Sequence, residues 1–484
     1  MRFLAAVILG MLLTACAPLP ILSTPQSAKS IDDYQTGQSF SAAEAAWPTD
    51  DWWVKYHDPQ LNTLIHEGLD ASPDMKIAQA RLSKAMAVSE SVASALYPQL
   101  NASAQVDRVK LSGGSVFPPG LAPQGWNNVG FATLNFNWEI DFWGKNRSAL
   151  AAAVSDAQAV RTEQAQAKLV LTSSIAQTYA ELARYYKVRE TTKRAYEIRD
   201  RTFMLFTERQ HFGLENSGPV SQAEAKKLLA ENELIQIEVR IAEQKNKLAA
   251  LVGAGPDRGL EIVQPTVNFD NRFSLPPELA MNLIGRRPDI IAARWQAQSG
   301  ESRIEQKKAE FFPNINLAAF VGVLSSGLDK TFNSNTSFAG AGPAIYLPIF
   351  EGGRLRAGLN TARAGYDESV ANYEKTVVQS LQEVADVVAN MKVLDQQIQL
   401  SDKSVAAATK GLLVAQNRYK GGLSNYLDVL TAEDELLTNL RVQTDLRARS
   451  FSLDVALTKA LGGGFQSDPT KDRIAVLNTE EFPK

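Results

Sequence analysis

Two periodicities of apolar residues run along the chain, and one of them has a period of two. Between Ala132 and Phe142 the even positions hold Ala, Leu, Phe, Trp, Ile and Phe, whereas the odd positions hold Thr, Asn, Asn, Glu and Asp. Strict alternation over 11 residues predicts a β-strand with one apolar and one polar face. The length fits a tilted strand that crosses a lipid bilayer, because half-buried strands of other proteins are typically about 5–6 residues long.

A related strand pattern occurs 209 residues later, where the apolar set continues and the other face lacks charges. The strands that precede both patterns are less regular, and we predict them because a strand in hydrocarbon needs a hydrogen-bonded neighbour on each edge. The predicted strand pairs are 97–110/130–142 and 312–325/338–350, and we expect Trp138 and Phe142 to face lipid.

The second periodicity is helical and unusually long. Lys145–Phe212 is a run of 68 residues without glycine or proline, which as one helix would measure about 100 Å. Further runs without these residues are Val220–Val252, Tyr366–Lys410 and Leu423–Leu461. The sequence therefore predicts two long antiparallel helical hairpins with coiled-coil-like packing.

These elements belong to a duplicated unit. Ser72–Met75 and Arg287–Ile290 begin similar segments 215 residues apart, and Phe212–Leu214 and Gly421–Leu423 end similar helices 209 residues apart. One supersecondary unit thus occurs twice. We predict a signal peptide at 1–15, a lipid-anchored segment at 16–54, repeat 1 at 55–262, a linker at 263–271, repeat 2 at 272–470 and a tail at 471–484.

The N-terminus resembles a lipoprotein signal. A positive end at Arg2 precedes the apolar run Phe3–Leu13, which is too short to span a bilayer, and small residues lead to Cys16. Cys16 is the single cysteine of the chain, so an acylated N-terminal cysteine is favoured over a buried core thiol. Ala17 is not acidic, which favours an outer-membrane address.

Composition excludes several classes of protein. Lysine and arginine number 50 against 53 acidic residues, which leaves no electrostatic footprint for nucleic acid. The three histidines, His57, His66 and His211, are too scattered to hold a metal. We find no nucleophile elbow, phosphate loop or dinucleotide-binding motif, and we therefore predict no enzyme activity and no cofactor.

Four strands per chain cannot close a barrel with a lumen. Open strand edges in hydrocarbon would cost several kcal/mol for each unpaired group, so several chains must share one barrel. Two chains would give eight strands and a filled interior, whereas three would give 12 strands and room for a passage. Geometry favours the trimer.

Four segments resemble the signature segments of the outer-membrane lipoprotein channels of tripartite efflux pumps. They are Leu283–Ile290, Phe311–Ile315, Leu347–Arg354 and Arg418–Gly422. The resemblance extends from Cys16 to about Gly464. It implies an α+β fold in which a homotrimer forms a 12-stranded barrel in the outer membrane and an α-helical tunnel in the periplasm, docked to a periplasmic adaptor and an inner-membrane transporter.

The function that follows is passive export of small molecules such as drugs through an outer-membrane exit duct. Two alternatives remain open at the level of sequence. One is the outer-membrane channel of a type I protein secretion system, and the other is a lipid-anchored periplasmic coiled-coil scaffold. The scaffold gives no reason for the alternation in Ala132–Phe142.

The hairpin turns are the candidate gate and adaptor-binding tip, because three copies that converge on one axis would place rings of like side chains around an opening. The candidate residues are Phe212, Gly213, Arg418, Tyr419, Gly421, Gly422, Leu427 and Asp428. The resemblance assigns polar gate contacts to Tyr419 and Asp428 and an apolar constriction to Leu427. Thr431 and Gly218-Pro219 depart from the pattern of the family, so the gate is expected to depend on fewer bonds.

Overall fold

The computed structural model describes residues 26–40, 44–110, 125–267, 274–277, 279–326 and 336–467. Its first half contains, in chain order, α1 (Pro59–Ala71), α2 (Pro73–Ala93), β1 (Gln99–Lys110), β2 (Trp126–Glu139), α3 (Lys145–His211), α4 (Ser217–Leu251) and α5 (Pro256–Leu260). Its second half contains α6 (Leu279–Arg286), α7 (Pro288–Ala309), β3 (Asn314–Ser326), β4 (Ser337–Tyr346), α8 (Arg354–Lys420) and α9 (Tyr426–Ala460). The predicted signal peptide, Cys16 and the predicted tail at 471–484 lie outside the described residues.

The order of elements repeats. The series α2, β1, β2, α3, α4 corresponds to α7, β3, β4, α8, α9. Helices α3 and α8 each contain 67 residues, and α4 and α9 each contain 35. The duplication inferred from the sequence motifs is thus a duplication of structure.

The four strands form one antiparallel sheet in the order β1-β2-β3-β4. Register puts Leu100 opposite Phe136 and Phe136 opposite Ala319, so alternation continues across the sheet. The apolar face carries Leu100, Ala102, Ala104, Val106, Ala132, Leu134, Phe136, Trp138, Leu317, Ala319, Val321, Val323, Ala339, Ala341, Pro343 and Ile345. The polar face carries Gln99, Asn101, Ser103, Gln105, Asp107, Thr133, Asn135, Asn137, Glu139 and Asn316.

Strand β2 ends three residues earlier than the alternation predicts. The Asp141 carboxylate accepts the backbone N–H groups of Asn146 and Arg147 at 3.1 and 2.8 Å, which caps α3 and turns the chain out of the sheet. Phe142 is therefore not a strand residue, although its side chain is 60% exposed. The prediction that Trp138 lies on the apolar face is confirmed, and its indole N–H donates to the carbonyl of Leu96 at 3.0 Å.

Helix α8 is longer than the glycine-free run Tyr366–Lys410 suggests. It begins at Arg354 and ends at Lys420, so it passes through Gly358, Gly365 and Gly411. Each glycine costs a helix about 1 kcal/mol relative to alanine. Packing against α7 and α9 offsets this cost, which composition along one helix could not reveal.

The hydrophobic core is divided along the helices. One cluster surrounds the fully buried Tyr56, Ile175 and Tyr179, and a second lies near the hairpin turns around Phe206. On the strand side the helices pack in the order α2, α3, α7, α8, and on the turn side in the order α4, α3, α9, α8. In the part of the chain that the structure describes, the helices are too short or too polar to cross a membrane.

The arginine of the Arg286–Asp289 segment is a structural clamp. Arg287 is 6% exposed, and it donates to Asp289 at 2.6 and 3.0 Å, to Glu383 at 2.7 Å and to the carbonyl of Ala460 at 3.0 Å. These four bonds join the start of α7 to the middle of α8 and the end of α9. A guanidinium fork is needed because lysine offers no planar set of donors.

Candidate functional site

The two hairpins reverse through the same turn. Gly213 and Gly422 have φ angles of 67° and 74°, in the left-handed region that favours glycine. The next residue closes the turn in each case, since the N–H of Leu214 donates to Arg209 at 2.9 Å and that of Leu423 donates to Arg418 at 2.8 Å. Both helices therefore end in the same glycine motif, which leaves the carbonyls satisfied.

An asparagine begins each returning helix. The side chain of Asn216 accepts the N–H of Gly218 at 2.9 Å, and that of Asn425 accepts the N–H of Asp428 at 3.1 Å. The carboxylate of Asp428 thus lies in the first turn of α9, where the helix dipole favours a negative charge. Asn425 is the helix cap, so capping does not explain the Asp428 carboxylate.

The turns expose large apolar side chains. Phe212, Leu214, Leu423 and Leu427 are 67%, 63%, 74% and 51% exposed. Such a group at the end of a rod is typical of a surface that meets another protein. Leu427, one of the candidate gate residues, belongs to this exposed set.

Tyr419 is placed differently from its neighbours, because it is buried between the two hairpins. Its side chain is 3% exposed, its ring packs edge-on against Phe206 at 5.2 Å, and the Arg209 guanidinium lies 4.6 Å from its ring. Its hydroxyl donates to Glu215 Oε2 at 2.6 Å. The end of α8 is thereby bonded to the turn of the first hairpin.

Burial, followed by the adjacent Glu215 carboxylate, raises the pKa of Tyr419 to about 12. The hydroxyl therefore remains protonated, and available as a donor, over the physiological pH range. Sequence reasoning selected Tyr419 but missed its partners Glu215, Arg209 and Phe206, which come from the other repeat.

Arg418 and Asp428 are both exposed. The ion pairs recorded for the described residues do not include one between them. Both side chains lie beside the turn of the second hairpin, close to the exposed Leu423 and Leu427. The site therefore consists of a buried polar latch at Tyr419 and an exposed rim of charged and apolar side chains.

A buried carboxylic acid lies farther along α9. Glu433 is 1% exposed, and both of its oxygens are without a hydrogen-bond partner. Burial raises the pKa of Glu433, whereas the nearby Arg199 lowers it by a smaller amount. The sequence gave one signal for this site, since Ala432-Glu433 repeats Ala223-Glu224, but it could not reveal the burial.

The surface beside Glu433 carries an ionic link between three helices. Asp434 on α9 pairs with Arg199 on α3 at 3.2 Å and with Lys226 on α4 at 2.5 Å. In the described part of the chain, no cluster of histidine, cysteine and carboxylate side chains is suited to hold a metal ion.

Comparison with known proteins identifies the architecture. The family model described as outer membrane efflux protein matches residues 64–254 and 279–463. The chain belongs to the outer membrane efflux protein family. The family resemblance drawn from Leu283–Ile290 and the other signature segments is thus confirmed, as are the outer-membrane location and the role in efflux.

The chain is similar to several characterised members of this family. It is 35% identical to the fusaric acid resistance protein FusA of Burkholderia cepacia over 370 residues, or 75% of this chain and 69% of that protein. It is 27% identical to the multidrug resistance outer membrane protein MdtP of Escherichia coli over 481 residues, or 98% of both chains.

Among solved structures, the outer membrane protein VceC of Vibrio cholerae superposes with a TM-score of 0.81 at 44% identity, over 87% of this chain and all of that one. The outer-membrane channel OprN gives a TM-score of 0.80 at 24% identity over 93% of this chain and 99% of its own, and so supports the fold alone. The α+β channel fold predicted from the sequence is therefore confirmed.

Proposed function

We propose that this protein is the outer-membrane exit duct of a tripartite efflux pump. Three chains share a 12-stranded barrel in the membrane and a helical tunnel in the periplasm, and the tunnel receives small toxic molecules from an inner-membrane transporter and its periplasmic adaptor. The duct is a passive conduit and catalyses no reaction. Relatives named for multidrug and fusaric acid resistance support this class of cargo.

The observation that carries the proposal is the two-faced sheet with open edges. One face is almost wholly apolar, and β1 and β4 are the two edge strands. In hydrocarbon, the backbone groups along those edges need partners. Pairing β4 of one chain with β1 of the next closes a barrel whose polar face lines the lumen.

The internal duplication supports the same assembly in the helical part. Within one chain α3 packs against α7 and α9. The equivalent helix in the second repeat is α8, and its corresponding neighbours would be α2 and α4. Those two helices lie at the far side of the same chain, so α8 of one protomer packs against α2 and α4 of the next.

This equivalence assigns a specific contact between protomers. Within one chain, the hydroxyls of Thr191 on α3 and Thr444 on α9 lie 2.8 Å apart. A shift of 209 residues converts this pair into Leu400 on α8 and Ile235 on α4, which are 57% and 62% exposed in the single chain. Two large apolar side chains would thus become buried against each other in the trimer, which favours association.

The gate lies at the hairpin turns. Phe212, Leu214, Leu423 and Leu427 supply apolar surface for the adaptor, and Arg418 and Asp428 form charged rings around the opening. Tyr419 acts as a latch, because its bond to Glu215 fixes the second hairpin to the first. Rotation of the second hairpin away from the axis must break that bond. Acylation of Cys16 anchors the mature chain in the membrane.

Conductance and susceptibility together test this function. We expect the purified protein to have the mass of three chains in mild detergent and to form ion-conducting pores in planar bilayers. Deletion of its gene should increase sensitivity of the host to amphiphilic toxic compounds, and plasmid-borne wild-type protein should restore resistance. A monomer without conductance, or unchanged sensitivity together with loss of a secreted protein, would contradict the proposal.

A further inference from the structure

The polar face of the sheet is interrupted by a group of apolar side chains. Register places Phe131 opposite Leu324, Gly322 opposite Phe338, and Phe320 opposite Gly340, so Phe131, Phe320, Leu324 and Phe338 all project from the face that carries Thr133 and Asn135. We call these four residues the lumen patch. In a barrel whose other inward residues are largely amides, hydroxyls and acids, such a group is unexpected.

The rings of the lumen patch lean together. Phe131 and Phe338 stack with centroids 5.9 Å apart although β3 separates their strands, and Phe320 lies 5.8 Å from Phe338. Strands that are not neighbours are about 9.5 Å apart. Side chains from such strands converge on the concave side of a curved sheet, which is the inner side of a barrel. The lumen patch therefore faces the passage.

Two of the rings cover glycines. A Cβ atom on Gly340 would lie 2.7 Å from Cζ of Phe320, and one on Gly322 would lie 2.8 Å from Cζ of Phe338. Covering a glycine in a strand stabilises the sheet. This structural role accounts for Phe320 and Phe338 but leaves Phe131 unexplained, since Phe131 lies opposite Leu324. Phe131 and Phe320 remain 39% and 44% exposed.

The lumen patch occupies the half of the sheet that is farther from the helices. Phe131 and Phe338 are near the start of β2 and β4, whereas the amides of Asn135, Asn137 and Asn316 are near the helical end. A molecule that leaves the tunnel would therefore cross an amide-lined zone first and three copies of the lumen patch last.

We propose that the lumen patch is a transient binding site for flat aromatic molecules, and for aromatic cations in preference, on their way out of the barrel. The inference rests on the proposed export function. Aromatic rings stack favourably on exposed phenylalanine faces, and the ring quadrupole attracts positive charge. Asp107, on the same face and diagonal to Phe131 through the Gln105 pair, adds a carboxylate. Weak binding suits a duct, because cargo must also leave.

Single-channel recording tests this site. Ethidium, a flat aromatic cation, is added to the side of the bilayer that the strand ends face, and tetrapropylammonium is the non-aromatic control. We expect ethidium to interrupt the current and tetrapropylammonium to have little effect. Phe131→Leu keeps an apolar side chain but loses the aromatic face, and should shorten the ethidium blocks about two- to tenfold.

The matched controls separate binding from stability. Phe136→Leu changes the same residue type on the apolar face of the same strand and should leave the blocks unchanged, whereas Phe131→Tyr keeps the ring and should preserve them. Asp107→Asn should reduce the preference for ethidium over the neutral aromatic 1-naphthol. Equal block by tetrapropylammonium, or equal block durations in wild type and Phe131→Leu, would overturn the inference and leave the export function intact. Absence of any conductance would overturn both.

Discussion

The hydroxyl of Tyr419 and the carboxylate of Glu215 lie 2.6 Å apart, and they belong to different repeats of the chain. A hydrogen bond to a charged group typically contributes about 1.5–3 kcal/mol. Since the bond joins the end of α8 to the first hairpin turn, it bears directly on the freedom of one hairpin to move relative to the other.

Replacing Tyr419 by Phe should therefore favour the open tip, because the substitution removes the donor and keeps the ring that packs against Phe206. We expect larger single-channel conductance and greater sensitivity of cells to vancomycin, without loss of the trimer. Tyr426→Phe is the matched control, since the ring of Tyr426 packs on the same Phe206 at 6.2 Å. Equal conductance in both variants would show that the latch lies elsewhere.

The contact assigned between protomers can be tested by cross-linking. Cysteines introduced at Ile235 and Leu400 of one chain should form disulfides between chains, and denaturing gels run without reductant should show dimers and trimers. Cysteines at Thr191 and Thr444 form the control, because that pair should link within one chain and leave its mass unchanged. Failure of the first pair to link chains while the second pair forms would contradict the assembly.

Charge on the two faces of the sheet should have unequal effects. Leu134→Arg places a cation on the apolar face near the middle of β2 and should destabilise the inserted barrel by about 2–4 kcal/mol. Asn137→Arg on the polar face should be tolerated far better. Trp138→Arg should fall between them, since Trp138 lies near the helical end of the strand. Thermal unfolding of the trimer in detergent and in lipid measures all three, and similar losses for Leu134→Arg and Asn137→Arg would refute the assignment of faces.

Stability should depend on pH through Glu433. Burial raises the pKa of this carboxyl, so the native state retains a proton that the unfolded state releases above about pH 4.3. The free energy of unfolding should consequently fall as pH rises through this window, until the native carboxyl is also ionised. The charged groups that face it are Arg199, Lys226 and Asp434.

Glu433→Gln should remove this dependence and stabilise the protein at neutral pH relative to wild type. Glu435→Gln, on an exposed position of the same helix, should leave the pH profile as it is. Unfolding temperatures measured from pH 4 to pH 8 compare the variants. A wild-type profile that rises with pH, or equal profiles for wild type and Glu433→Gln, would mean that Glu433 is solvated in the assembled channel.

The anchor predicted at Cys16 has a direct biochemical test. Cys16→Ala should abolish labelling with radioactive palmitate and leave the precursor uncleaved, while the strands still allow insertion. Cys16→Ser serves as a second variant that keeps the size of the side chain. Normal labelling and processing in either variant would remove the lipoprotein assignment.

Much of the fold was predictable because it is periodic. Alternation identified β2, long runs without glycine identified α3, and repeated motifs identified the duplication. The same reasoning placed the end of β2 too late, since it could not foresee that Asp141 caps α3. It also ended α8 too early, because it treated Gly358, Gly365 and Gly411 as limits.

The candidate site was harder to predict, since its geometry depends on contacts between repeats. Sequence selected Tyr419 through its place in the Arg418–Gly422 segment, but its burial follows from Phe206 and Glu215, which come more than 200 residues earlier. The lumen patch was missed because Phe131 precedes the segment in which polar residues alternate cleanly. An apolar residue on a polar face is visible only when register with the neighbouring strands is known.

The equal lengths of α3 and α8, 67 residues each, restrict how this gene can change in length. Deleting one residue from a helix turns every later side chain by about 100° and shortens the rod by about 1.5 Å. A deletion in α3 alone would misalign one hairpin turn from the other and separate Tyr419 from Glu215. Viable insertions or deletions must therefore occur in both repeats, in both arms of each hairpin and in whole heptads, so the reach of the molecule across the periplasm can evolve only in large, coordinated steps.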